Sequence, residues 1–279
     1  MRSKLFVPGS RPELFAKALI SAADAISFDL EDAVAKDRKA EARATLAAFL
    51  QGLAPSGKAI VVRVNPVGSD NFVADMEAMV GPATHVINLP MVEDASAIIE
   101  AAHMLDRLGA KTIRLLINIE TPKGLRKAAE LAGAHPCVMG LQIGYADLLE
   151  PAGIARSDQT ALGHIRLQVR LAAAESGIAA YDGAYAMVKD PEGYRAECEA
   201  ARSHGFAGKS CIHPTQIAIA NMAFMPTPSE IDLARRMLAA AEKASAAGIG
   251  AYLVDGQMVD EPFLIRARAI LALVDASNR

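Results

Sequence analysis

The stretch LLINIETPKGL, residues 115–125, joins a strand to a helix and places a single acid at the junction. Leu115 to Ile119 is a run of apolar and small amide side chains of strand length, while Thr121-Pro122 carries the N-cap and first-turn signals that open a helix. Glu120 therefore stands at the carboxyl end of a buried strand. A charge there needs a partner or a purpose.

The same pattern recurs outward in both directions. Short apolar runs at Leu5 to Val7, Ala25 to Leu30, Ile60 to Val64, Val86 to Leu89, Ile113 to Ile119, Val138 to Ile143, Ala180 to Met187 and Gly208 to Ile212 alternate with segments of helical spacing such as RKAEARATLAAFL and PEGYRAECEAARSHG. Ser10 and Glu13 have capping-box spacing, and Asp190-Pro191 reads as an N-cap followed by a first-turn proline. Eight strand–helix units in roughly 225 residues predict a (β/α)8 TIM barrel, because parallel strands need helical crossovers and eight of them close around a filled interior. An open doubly wound sheet is the alternative, since periodicity does not show closure. The barrel is expected over residues 1–225. Residues 226–279, with TPSEIDLARRMLAAAEKASAAG and a last helix after AYLVDGQMVDEP, form a C-terminal helical extension packing on the barrel or on a neighbouring subunit.

Composition narrows the class. Of 279 residues, 52% are hydrophobic, and 29 basic against 32 acidic residues leave a net charge of −3, which points to neither disorder nor a nucleic-acid partner. Three cysteines, Cys137, Cys198 and Cys211, form no CxxC pair and read as buried thiols in a reducing compartment. The apolar run near the start is too short for a signal peptide, and no stretch of about 18 apolar residues is present. A cytoplasmic protein without a membrane partner is expected.

Barrel enzymes build their chemistry at the carboxyl ends of the strands. The polar residues there are Asp29, Glu31 and Asp32 after the second strand, Arg63 and Asn65 at the third, Glu120 at the fifth, Asp147 after the sixth, Asp182 at the seventh and His213 after the eighth. Glu120 and Asp147, on adjacent strands, suit a divalent ion, and oxygen ligands alone point to Mg²⁺ or Mn²⁺ with positions left for substrate and water. The plainer reading has each acid capping a helix or pairing with a lysine. Arg63, set in an apolar strand, requires an anion, either Glu31 or Asp32 in a salt bridge or a substrate carboxylate gripped by its planar fork. His213, before Pro214 at a helix start, reads as a hydrogen-bonded structural residue.

The ordered phrases KLFVPGSRPELFAKAL, ISFDLEDAVAKDRKAEAR, VVRVNP, INIETPKGL, IGYADL, YDGAY, GFAGKSCIHPTQI and DGQMVDEP resemble the citrate lyase β-subunit-like group of the HpcH/HpaI aldolase superfamily, over nearly the whole chain. That resemblance implies a barrel, usually a homotrimer or a dimer of trimers, that makes or breaks a carbon–carbon bond in a 3-hydroxyacyl thioester with Mg²⁺. It implies metal ligands at Glu120 and Asp147, with Glu120 also meeting the substrate. It further implies a substrate-gripping Arg63, additional acidic residues at Glu31 and Asp32, and a proton donor at Asp260 in the phrase MVD, reaching across a subunit interface. From position alone, Asp260 and Asp255 read equally as polar turn and helix-capping residues.

The expected function is cleavage of a citramalyl-CoA or malyl-CoA type thioester to acetyl-CoA and a 2-oxo acid, with coenzyme A as part of the substrate. The alternatives are the carrier-protein citryl lyase subunit of a citrate lyase complex, a malate-synthase-like or thioesterase activity, and a non-catalytic barrel that binds CoA thioesters. Met91, Ala146 and Ala184 depart from the pattern, where many relatives carry lysine, glutamate and proline, and Met91 and Ala146 are expected to alter the acyl group accepted.

Overall fold

The computed structural model describes residues 1–54, 57–246 and 250–277. Eight parallel strands close into a barrel: β1 (Ser3–Pro8), β2 (Ala25–Asp29), β3 (Ala59–Arg63), β4 (Val86–Leu89), β5 (Arg114–Ile119), β6 (Val138–Ile143), β7 (Ala179–Asp182) and β8 (Gly208–Cys211), which pairs back with β1. Between them run α1 (Phe15–Leu19), α2 (Lys39–Gln51), α3 (Phe72–Met79), α4 (Ala95–Arg107), the broken pair α5 (Pro122–Arg126) and α6 (Ala128–Ala132), α7 (Tyr145–Leu149), α8 (Gln159–Glu175) and α9 (Pro191–Ser203). After β8 comes α10 (Thr215–Ala223). The barrel expectation holds, and closure excludes the open sheet.

Alternation along the strands explains the two sides of the wall. In β5, Leu115, Ile117 and Ile119 join the large core beneath the helices, whereas Leu116 packs inside the barrel with Ala25, Val61, Val86 and Tyr181. Above that apolar floor the interior is polar. Asn88 Nδ2 and Gln142 Nε2 both donate to Asn118 Oδ1, at 2.8 and 3.1 Å, and all three amides are buried. They carry hydrogen bonding up the axis to the mouth.

Two local expectations hold and two change. Thr121 caps α5 by accepting from Gly124 N, and Asp190 caps α9 by accepting from Gly193 N. The capping box at Ser10 and Glu13 does not form, because Pro12 opens a short 3₁₀ turn whose N-cap is Arg11; Ser10 donates to the Ala33 carbonyl, and Glu13 pairs with Arg11. The seventh strand stops at Asp182 and does not run to Met187. Gly183 passes so close to the wall that a β-carbon would lie 2.6 Å from the Ile143 carbonyl and 2.7 Å from the Tyr145 ring.

The chain divides into two compact units, Met1–Phe224 and Met225–Arg279. In the second, α11 (Pro228–Ala246) and α12 (Glu261–Ser277) share a small core of Ala234, Met237, Val254, Val259, Leu264 and Ala267. It also contains a hairpin, β9 (Tyr252–Val254) and β10 (Gln257–Val259), whose turn residues Asp255 and Gly256 both have positive φ, the geometry of a type I′ turn. No helix among the described residues is long and apolar enough to cross a membrane.

Candidate active site

Glu120 leaves the end of β5 only 2% exposed. Each of its oxygens accepts one neutral donor: the Met91 backbone N–H at 2.6 Å on Oε1 and Asn118 Nδ2 at 3.0 Å on Oε2. Burial raises its pKa, the Asp147 charge adds to the rise, and the Met91 N–H and Arg63 oppose it. Asp147, in the first turn of α7, is likewise raised, by burial and then by Asp32. Gly144 makes this proximity sterically feasible, because a β-carbon there would overlap the Glu120 carboxylate.

Arg63 ends β3 directly beside Asp29 in the β2–β3 register. Its Nε and Nη2 take both Asp29 oxygens at 2.7 and 2.6 Å, and Nη1 reaches Glu31 at 2.9 Å and Asp32 at 3.3 Å. Where the sequence points to Glu31 or Asp32 as the structural partner, the principal one is Asp29. Burial works against the guanidinium charge, but Asp29, Glu31 and Asp32 outweigh it and raise its pKa. Asp29 also accepts the Glu31 and Ala33 N–H groups at 3.0 and 3.1 Å, so it shapes the loop that presents Glu31 and Asp32. Glu31 is raised to about 8 by burial, with Asp32 and Asp29 adding to the effect against Arg63.

Asp29, Asp32, Arg63, Glu120 and Asp147 line one cavity of about 940 Å³. Its far wall was not anticipated. The Arg156 guanidinium lies 4.2 Å from the centre of the Tyr145 ring and is held by Glu197 at 2.6 and 2.9 Å, with Tyr185 alongside. Behind that wall, Asp182 is fully buried between Lys209 at 2.6 Å and Arg166 at 3.1 Å and accepts from the Tyr145 hydroxyl. Burial would raise its pKa, yet the two cations hold it at about 2. Asp182 is therefore a structural charge and not a mouth acid. His213 bonds the Thr215 hydroxyl, in keeping with its structural reading.

Ala146 lines the cavity, whereas Met91 does not; its side chain is 43% exposed and only its backbone N–H reaches the site. Asp260 lies immediately before α12, where its carbonyl accepts from Phe263 and Leu264, and its Oδ1 is buried without a hydrogen-bond partner. Among the described residues no three acidic, histidine or cysteine side chains cluster as a ready metal cage. Two carboxylates of raised proton affinity, touched only by neutral donors or left open, nevertheless fit a hard divalent cation whose other positions go to substrate and water.

A closed (β/α)8 barrel with its charged residues gathered at the carboxyl ends of the strands has the architecture of a barrel enzyme. The chain belongs to the HpcH/HpaI aldolase/citrate lyase family, whose model matches residues 2–214. It is 41% identical over 276 residues to the (3S)-malyl-CoA thioesterase of Cereibacter sphaeroides strain ATCC 17029, covering 99% of this chain and 95% of that protein. The CitE protein of Mycobacterium tuberculosis in complex with magnesium, acetoacetate and coenzyme A superposes with a TM-score of 0.79 at 35% identity, covering 98% of each chain. The citrate lyase beta subunit of the same organism, complexed with oxaloacetate and magnesium, gives 0.70 at 35% identity, covering 81% of this chain and 97% of that one.

Proposed function

We propose that this protein is a magnesium-dependent lyase that cleaves a 3-hydroxyacyl-CoA thioester of the malyl or citramalyl type to acetyl-CoA and a 2-oxo acid. The observation that carries this reading is the Glu120–Asp147 pair, two carboxylates that line one cavity with Arg63, the Asp147 charge adding to the burial that raises the Glu120 pKa. The relatives that bind magnesium with acetoacetate and coenzyme A, or magnesium with oxaloacetate, support the substrate class. The cavity extends beyond the acidic cluster to Arg156 and Tyr185, giving room for more than an oxo acid.

Glu120 and Asp147 would hold the ion. Magnesium, when bound, supplies positive charge to the carbonyl and carboxylate oxygens of the 2-oxo acid fragment. Arg63, with one Nη2 N–H beyond those directed at Asp29, Glu31 and Asp32, contributes charge at the same oxygens. Asp32, 58% exposed against 2% for Asp29 and 12% for Glu31 and with the longest of the three contacts to Arg63, at 3.3 Å, is assigned here to accept the 3-hydroxyl proton. As the carbon–carbon bond breaks, its electron pair passes to the thioester enolate. That enolate takes a proton at carbon from Asp260, one of whose carboxyl oxygens is buried without a hydrogen-bond partner, and acetyl-CoA leaves. Asp260 is assigned here to the site of a neighbouring subunit in a homo-oligomer.

A second reading, hydrolysis of the same thioester, is favoured by the identity to a malyl-CoA thioesterase. Incubation with malyl-, citramalyl- and citryl-CoA, with Mg²⁺ or with EDTA, separates the readings by mass spectrometry. Acetyl-CoA with glyoxylate, pyruvate or oxaloacetate supports cleavage; free CoA with intact malate or citramalate from the first turnover supports hydrolysis. Turnover only on carrier-protein thioesters would identify a citrate lyase subunit, and equal turnover in EDTA would overturn the metal-dependent account.

A further inference from the structure

Among the described residues two non-glycines have a left-handed backbone, Asp255 at φ 51° and Met91 at φ 52°. Asp255 sits in a hairpin turn that requires it. No such turn explains Met91, which follows Pro90 just after β4, and methionine lacks the short polar side chain that lets Asn or Asp tolerate this conformation.

The backbone around it is held from the neighbouring strand end. The Val92 carbonyl packs against Gly124 so tightly that a β-carbon on Gly124 would sit 2.7 Å from it. Asp94 is gripped by Lys123 at 2.6 Å and Lys127 at 2.5 Å, residues in and just after α5. Because α5 directly follows Glu120, the loop after β4 and the chain after β5 form one clamped unit. Inside that unit the strained residue makes a single contact with the site: its N–H donates to Glu120 Oε1 at 2.6 Å, while its side chain faces outward.

We propose that the left-handed backbone at Met91 is a positioning device that aims its N–H at Glu120 Oε1 and, together with Asn118 on Oε2, fixes the plane of the carboxylate for a divalent cation. Strain concentrated where a backbone group meets a functional side chain is the pattern expected of pre-organisation. The methionine side chain contributes nothing to it. This rests on the reading of Glu120 as a metal ligand, and the test keeps the two apart.

Mn²⁺ titration followed by electron paramagnetic resonance, on proteins checked for folding by circular dichroism, measures the ion's affinity without turnover. Met91→Gly, which tolerates the conformation and keeps the N–H, should bind Mn²⁺ within threefold of wild type. Met91→Ile, β-branched and unsuited to positive φ, should bind at least about tenfold more weakly, the usual scale for loss of a ligand-orienting partner. Should Met91→Ile fail to fold, replacing the residue 91 amide by an ester, with the α-hydroxy analogue of methionine, deletes the N–H alone and should cause the same loss. Wild-type affinity in the isoleucine or ester protein, or equal loss in Met91→Gly and Met91→Ile, would overturn the proposal while leaving Glu120 as ligand. Wild-type affinity in Glu120→Gln would remove the ligand assignment itself and the proposal with it.

Discussion

Arg63 and Asp29 meet as a two-pronged pair at adjacent strand ends, Nε to Oδ1 at 2.7 Å and Nη2 to Oδ2 at 2.6 Å. The pair is nearly buried, so its geometry matters more than its charge count. Arg63→Lys retains the charge but offers no planar fork, leaving one Asp29 oxygen with only its backbone N–H donor. We expect about 3 kcal/mol of lost stability, the scale of a damaged buried pair, and at least about a hundredfold loss of kcat/KM. Thermal melts and steady-state kinetics check both, and a variant with wild-type values in each would reduce Arg63 to a bystander.

Gly144 supplies a steric test of Glu120. Gly144→Ala brings the added carbon within overlap of both the Glu120 carboxylate and its β-carbon, at 2.5 Å, so in protein checked for folding by circular dichroism it should displace Glu120 and suppress Mg²⁺-dependent turnover by about two orders of magnitude. Retained metal response in this variant would mean that Glu120 can move without consequence.

Glu31 predicts a pH dependence of stability. Its pKa rises from 4.5 to about 8 in the fold, chiefly through burial; Arg63 lies 2.9 Å away but is already committed to Asp29. The folded state thus binds this proton more tightly than the unfolded chain, so the contribution is present below about pH 4.5 and is lost as pH rises towards 8. The metal-free wild type should lose thermal midpoint relative to Glu31→Gln between pH 5 and 8. Parallel curves would show that Glu31 keeps an ordinary pKa.

Much of this arrangement was legible in the sequence because two rules act locally. Strand runs ending in Glu120 and followed by Thr121-Pro122 give both the barrel pattern and the address of the acid. What escaped were relationships across the fold. Asp29 rather than Glu31 or Asp32 as principal partner of Arg63 depends on strand register, and Arg156 with Glu197 on contact between residues 41 apart. The positive φ of Met91 has no sequence signal, whereas the Asp255-Gly256 hairpin had one, an Asp-Gly pair between short apolar runs.

Asp182 yields a stability test behind the cavity wall, where Lys209 also contacts Glu197 at 2.9 Å. Lys209→Met leaves its carboxylate buried beside a single guanidinium and should cost about 3–5 kcal/mol, most visibly above pH 4 where Asp182 is charged. Denaturant unfolding at pH 7 checks this, and a loss under 1 kcal/mol would show that Arg166 suffices.

Asp260 is tested by mixing. Asp260→Ala and Glu120→Ala proteins, each inactive, should regain part of the activity after subunit exchange if one subunit's Asp260 serves another's site. Mixed oligomers, verified by native mass spectrometry, that stay inactive would place Asp260 in its own subunit's site or outside the reaction.

The central claim is that Glu120 and Asp147 together hold the divalent cation on which the 2-oxo acid is bound. Crystals grown with Mn²⁺ and pyruvate, measured at the manganese absorption edge, test it directly. The account predicts one anomalous peak per barrel within coordination distance of both carboxylates, with pyruvate density completing the shell. A peak elsewhere, or pyruvate bound with no ion between those two side chains, would contradict it.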